Sequence, residues 1–288
     1  MITHSLRQRF AHALLSCTLP VLSQVGLAAG DTLPAAIDRV VLSMGSMTQS
    51  RVEHETAITR LALEKSRDRY GDYSLDVHTT IYSRSRALRS LFVGETINAV
   101  SAPKMSFQVE STQQPLIVIP VPLLKGTLGQ RLAIVRRDRL AEFNQIRTLE
   151  QLQQKSAGIG FDWIDKHFFE HNGLAYTTGA DTTQLFNMLL HQRFDYLPLG
   201  MLEAESALEH SGMADQLAIV DNLIIDYPLP VYLQVSVNRP ELAERLAYGL
   251  KNAQEDGSLD ALFETHYGAL MEKFSDYRRI SLAPLPES

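Results

Sequence analysis

The sequence predicts an α/β protein built as two lobes with a cleft between them, and three observations carry that prediction. Short β-rich runs alternate with amphipathic helical stretches, the pattern of a mainly parallel sheet covered by helices. The alternation runs through once, meets the proline-bearing stretch "PLIVIPVPLLKG", and then begins again. A second proline-bearing join, "DYPLPVYLQVSV", leads into two closing helical stretches. With 288 residues and 45% hydrophobic content, the chain is long and apolar enough to fill two such cores.

The first residues stand apart from this pattern. "MITHSLRQRF" carries Arg7 and Arg9 with no acid, and "AHALLSCTLPVLSQVGLAAG" then runs apolar and ends in small residues. A basic start, an apolar middle and a small-residue cut site predict a secretory signal over residues 1–29, cut near Ala29 with Ala28 and Gly30 as competitors. Pro20, Ser23 and Gln24 argue against a membrane-spanning helix here. Cys17, the single cysteine, falls inside this segment, so a plain cut leaves a chain that relies on its core rather than on disulfides. "LLSC" is like a lipobox, but apolar sequence continues past the cysteine. The cut leaves 25 basic against 33 acidic residues, a net charge of −8 that argues against a nucleic-acid partner. The basic stretches "RSRALR" and "VRRDRL" read as solvated helix or turn.

In the first unit "DRVVLSM" predicts a strand, and a helix follows through "HETAITRLALEKSRDRYG", where Ile58, Leu61, Ala62 and Lys65 share one face and Gly71 closes it. "YSLDVHTTIY" alternates as a strand, "SRSRALRSLFVG" predicts a helix, and "INAVSA" a third strand. In the second unit the strands are "QRLAIVRR", "AGIGF", "LAYTTG" and "FDYLPLG". The helices are "TLEQLQQ", "DWIDKHFFEHNG", "DTTQLFNMLLHQ" and "MLEAESALEHSG", and "LAIVDNLII" forms an extended run. The closing helices are "PELAERLAYGLKNAQEDG" and "SLDALFETHYGALMEKF". Residues 30–124 with 230–288 are assigned to lobe 1 and 125–229 to lobe 2, joined by a two-crossing hinge at Pro120–Gly126 and Tyr227–Val231.

This order of signal, lobe, crossing, lobe, return crossing and closing helices resembles the periplasmic solute-binding proteins of the amino-acid type, extracellular family 3. "DGSLDALFETHYG" is similar to the family's terminal glycine-then-aromatic turn, "LLHQRFDYLPLG" to its entry into the second lobe, and "IPVPLLKGTLGQRLAIVRR" to its first crossing. The resemblance implies a type II periplasmic-binding-protein fold, and a non-enzymatic monomer that closes on a small solute for an ABC-type permease or a sensor protein. No cofactor or metal is expected. It also implies an arginine after the third strand and an aspartate near Gly200 to clamp an amino acid. Yet "SAPKMSFQVEST" holds no arginine, none occurs between Arg89 and Arg131, and "FDYLPLG" ends without the acid. Their absence counts against an ordinary zwitterionic ligand, since both would make charge-assisted contacts.

In such a fold ligands sit where strands end and helices begin. That rule selects Met44 and Ser46 after the first strand, Arg84 and Arg86 after the second, and Ser101 and Lys104 after the third. In "KSAGIGFDWIDKHFFEHNGL", Gly158 and Gly160 would permit close backbone approach, Asp162 would cap the helix, and Phe161 or Trp163 would cover an apolar part of the ligand. The plainer reading is a capped helix whose tryptophan packs inward. Thr182 beside the capping Asp181, Gly200 and Tyr232 complete the set, with Lys125 and Arg131 flanking the crossing. His167 and His171 are too few for a zinc site and read as a solvated face. Two other classes stay open: a sensing or protein-interaction module, and a dehydratase-like enzyme on the same fold, although no G-x-S-x-G is present.

Overall fold

The computed structural model describes residues 38–45, 48–82, 84–104 and 116–286, with backbone alone at 84 and 85. The predicted signal segment, Cys17 and Ser46 lie outside these residues. Lobe 1 is a five-stranded sheet in the order β2-β1-β3-β10-β4, made of Asp38–Ser43 (β1), Tyr73–His78 (β2), Ala99–Pro103 (β3), Leu116–Val118 (β4) and Val231–Ser236 (β10). β1 runs parallel to β2 and β3, and β10 enters antiparallel to β3 and β4. Helices Gln49–Glu64 (α1), Arg67–Tyr70 (α2), Arg84–Val93 (α3), Pro240–Glu255 (α9) and Ser258–Lys273 (α10) accompany it, and α1 packs against both α9 and α10.

The α9 sequence explains its place. Pro240 opens the helix, where a missing N–H costs nothing, and Leu242, Leu246, Leu250 and Ala253 bury one face. Gly249 lies against the Ala62 backbone, so a side chain there would push α1 away. Arg245 on the same face is fully buried, and it is satisfied by donating to Ser66 Oγ, Asp38 Oδ2 and the Gly71 and Asp72 carbonyls. That fork ties α9 to the start of β1 and to the turn before β2.

Lobe 2 repeats the scheme. Gln130–Arg136 (β5), Leu197–Gly200 (β8), Leu217–Asp226 (β9) and Arg278–Ser281 (β11) form a sheet in the order β11-β9-β5-β8. Ser156–Gly160 (β6) and Ala175–Gly179 (β7) pair in parallel, and the Ala157–Tyr196 bridge joins them to the approach of β8. The order β7-β6-β8-β5-β9 therefore matches β2-β1-β3-β10-β4 strand for strand, with the strand arriving from the other lobe inserted antiparallel in each. The lobe 2 helices are Leu140–Phe143 (α4), Leu149–Leu152 (α5), Asp165–His171 (α6), Thr182–Leu190 (α7) and Ala204–His210 (α8). No described helix is long and apolar enough to cross a membrane.

Several expectations need correction. The first helix begins at Gln49, five residues before the predicted His54. At "VRRDRL" the expected turn forms at Arg137–Arg139, and its arginines are engaged: Arg136 holds Asp138 and the Leu190 carbonyl, Arg137 the Ala214 carbonyl, and Arg139 Glu142 and Asp195. The chain passes between sheets from β4 to β5 and from β9 to β10. It then crosses a third time, because β11 pairs in parallel with β9. The predicted two-crossing hinge thus gains a third leg, and residues 278–281 lie in the lobe 2 sheet rather than in lobe 1. The buried Ile280 stacks beside Ile225, a pairing that no local pattern announces.

Candidate functional site

At the carboxyl end of the lobe 2 sheet, the strands bring three distant residues together. Arg131 on β5 contacts Asp165 Oδ1 at 2.7 Å and donates from Nε to the Tyr227 hydroxyl at 2.8 Å, and Tyr227 donates to Asp165 in turn. All three are buried, and Phe168 stacks on the Tyr227 ring at 4.6 Å. Burial opposes the Arg131 charge, but Asp165, Tyr227 and then Glu203 more than offset it, so its pKa is raised. Burial is the main cause that holds Tyr227 protonated, well above its ordinary value.

Gly200 ends β8 directly opposite Arg131. A Cβ at Gly200 would stand 2.9 Å from Glu203 Oε1 and 3.0 Å from Arg131 Nη1. The Glu203 amide donates back to the Gly200 carbonyl, and this turn folds the Glu203 side chain over the glycine. A carboxylate therefore stands where the resemblance implied one, supplied from three residues further on. It is 4.0 Å from Arg131 Nη1, and none of the described residues donates a hydrogen bond to it.

In lobe 1 the matching edge is built by α1 and α10. Arg51 Nε donates to Glu55 at 2.8 Å, the two being one helical turn apart. His54 on the same face lies among the rings of Tyr267, His266 and Phe263, at 4.7, 5.0 and 5.9 Å. Burial, then His266 and Arg51, lower its pKa to about 4, so the imidazole is neutral. Among the described residues, both His54 ring nitrogens, Glu55 Oε2, Thr48 Oγ1 and Thr56 Oγ1 are buried without a hydrogen-bond partner, as is Ser101 Oγ on β3. The charges of the two lobes reach each other here. Burial opposes the Arg51 charge, Glu55 and then Glu203 restore it, and the net effect is a raised pKa. Burial raises that of Tyr267, and Glu203 contributes to that rise. Two residues further on, Glu205 forms an ion pair with Lys273 of α10.

The predicted residues scatter around this centre. β3 and β10 bring Ser101, Lys104 and Tyr232 to one place, since Ala102 pairs with Tyr232 and Ser101 with Leu233. Lys104 is exposed and Tyr232 half-buried. Met44 is instead a core residue, 2% exposed. Arg84 lies in α3 with its side chain outside the described atoms, and Arg86 is exposed with its guanidinium over the Tyr82 ring at 4.5 Å. The glycine pair serves packing rather than ligand approach: a Cβ at Gly158 would run into the Phe194 ring, and one at Gly160 into the Trp163 indole. Asp162 is exposed and caps nothing, because α6 starts at Asp165 behind Ile164. Asp165 itself is committed to Arg131. Phe161 is 64% exposed. Thr182 opens α7, where Asp181 accepts from the Gln184 amide at 2.7 Å. His167 and His171 are exposed, and no described group of three or more His, Cys, Asp or Glu could hold a metal.

Arg51, Glu55, Asp165, Glu203 and Tyr267 are not among the residues the sequence singles out, and Arg131 and Tyr227 enter only at the crossings. Arg51 and Glu55 carried a usable signal, the i,i+4 spacing in "RVEHE". Asp165, Arg131 and Tyr227 carried none, because separations of 34 and 62 residues are closed by the sheet alone.

No family model matches the sequence, and no curated protein matches it. Solved structures do. An ancestral arginine-binding protein bound to arginine superposes with a TM-score of 0.54 at 15% identity, covering 81% of this chain and 98% of its own. An amino acid ABC transporter substrate-binding protein from Streptococcus pneumoniae, bound to L-arginine, gives 0.53 at 16%, with 81% and 95% covered. The GluR0 ligand-binding core in complex with L-glutamate gives 0.54 at 12%, with 81% and 98% covered. The likeness establishes the fold: two α/β lobes of the type II periplasmic-binding-protein architecture.

Proposed function

We propose that this protein is a solute-binding protein whose lobes close, hinge-like, over a small ligand, and that it serves ABC-type uptake from the periplasm. One observation carries the reading: the carboxyl ends of the two sheets meet where Glu203 folds over Gly200 in lobe 2, Glu205 two residues on pairs with Lys273 of α10, and the charge of Glu203 acts on Arg51 and Tyr267 of lobe 1. A ligand that touches both lobes stabilises the closed form by its differential affinity for it. A cation and an anion held on opposite lobes suit a small dipolar solute, which agrees with the arginine and glutamate named for the structural neighbours. Arg131 would then be a support, since Asp165 and Tyr227 already occupy it. Export rests on the basic-then-apolar start of the chain.

The ion pair between Glu205 and Lys273 favours a second reading, a sensing module whose lobes hold together without a solute. A thermal-shift screen of the purified chain against amino acids, peptides, organic acids, polyamines and sugars separates the two. A specific ligand raises the melting temperature by mass action. Glu203→Gln should then weaken that ligand by roughly 10- to 100-fold, the loss of one charge-assisted bond. Silence across every class would overturn solute binding.

A further inference from the structure

The third crossing is where the fold departs from the symmetry of its lobes. α10 ends at Lys273 in lobe 1, and four residues, Phe274–Tyr277, separate it from β11 in lobe 2. These four are not slack. Phe274 is buried with Tyr277 edge-on at 4.9 Å, the Ser275 amide donates to the Glu272 carbonyl, and the Tyr277 amide donates to that of Phe274. Beyond them the tail is held firmly. β11 is in register with β9 from Arg278 opposite Leu223 to Ser281 opposite Asp226. The Leu282 amide donates to the Asp226 carbonyl at 2.8 Å, and Asn172 exchanges both amide bonds with Ala283, at 2.7 and 3.1 Å. Ile280 and Leu282 are buried.

We propose that this C-terminal strap is a stop on lobe opening. Both of its ends are fixed, one by the packing of α10 on α1 and α9 and the other by the β9 pairing. Lys273 and Arg278 are five residue steps apart and, pulled straight, lie at most about 18 Å apart, so the end of α10 cannot travel further than that from the start of β11. A short tether also removes entropy from the open state and so favours the closed one. The effect on ligand affinity rests on the solute-binding reading above, whereas the limit on lobe separation needs no ligand.

The test lengthens the strap and leaves its anchor intact. Gly-Ser-Gly-Ser is inserted after Ser275 in a Cys17→Ser chain labelled through Glu209→Cys on α8 and Glu244→Cys on α9, and the interlobe distance distribution is recorded by spin-label spectroscopy. Amide protection at Ile280 verifies that β11 stays paired. The insertion should extend the distribution to longer distances without ligand, and doubling the tether should weaken any ligand found by about threefold. An unchanged distribution with β11 still protected overturns the strap. Removal of residues 278–288 should act in the same direction; if that variant fails to fold, the insertion decides. A wider distribution in a chain that binds nothing keeps the strap and discards solute binding, and a bound ligand with unchanged distances does the reverse.

Discussion

Arg131 in lobe 2 has a buried carboxylate and a buried phenol of its own, and each of those partners bonds the other. On the equivalent edge of lobe 1, Arg51 has Glu55, but Glu55 Oε2, both His54 nitrogens, two threonine hydroxyls and Ser101 Oγ have no partner among the described residues. The two edges come from the same strand order, so topology does not produce the difference. The Arg131 trio of lobe 2 satisfies itself, although Gln130 Oε1, Tyr196 OH and Arg278 Nη2 elsewhere in that lobe have no partner among the described residues, whereas lobe 1 gathers its unpartnered atoms around His54. A buried polar group without a partner costs about 1–3 kcal/mol. The cluster around His54 therefore carries a stability cost that the Arg131 trio does not.

The comparison can be broken most decisively at Arg131. Arg131→Met leaves the buried Asp165 with the Tyr227 hydroxyl but no countercharge, and should cost about 3–5 kcal/mol in a denaturant titration. A variant of wild-type stability that had lost ligand affinity would show instead that Arg131 is a ligand clamp and that lobe 2 is the open edge.

His54 tests lobe 1 through pH. Its folded pKa of about 4 lies below the ordinary 6.5, so the unfolded chain binds the proton more readily in that window. Stability should be full above pH 6.5 and fall as the pH drops toward 4, by up to about 3 kcal/mol from this residue. His54→Phe, which fits the ring cluster and removes two unpartnered nitrogens, should flatten that slope and raise the melting temperature at pH 7. A variant that retained the full slope would assign it to other groups.

Gly160→Ala forces the Trp163 indole off β6 and should cost about 1–3 kcal/mol by overpacking. Trp163 is the only tryptophan, so its emission should shift to the red as the ring is displaced. An unmoved spectrum would return Gly160 to the role of a ligand-approach glycine. The smallest effect belongs to Arg86→Ala. It removes an exposed stacking contact on Tyr82 and should change stability by less than about 1 kcal/mol and leave affinity unaltered. A clear loss of affinity would move the site outward along lobe 1.

Reading the chain by period and punctuation located nearly every strand and helix, because each is specified by near neighbours. The 2-residue alternation of "YSLDVH", the inward face of α9 and the Asp181 cap of α7 are all local patterns. The prolines and the Lys125–Gly126 turn, left-handed at both residues, likewise mark a crossing that the sequence displays. Glu203 shows where such reading stops. The sequence holds a glycine where a carboxylate was expected, and only the turn from Gly200 back to Glu203 fills that place.

The α/β alternation, the two lobes and the order of the joins are all legible in the linear chain. Hydrophobic period and backbone restriction act over a few residues and survive in a linear string. That Asp165 belongs to Arg131, that the glycine pair makes room for Phe194 and Trp163, and that β11 returns to lobe 2 emerge only once the chain is folded. Each of these is a pairing between distant residues that satisfies a buried charge, ring or strand edge.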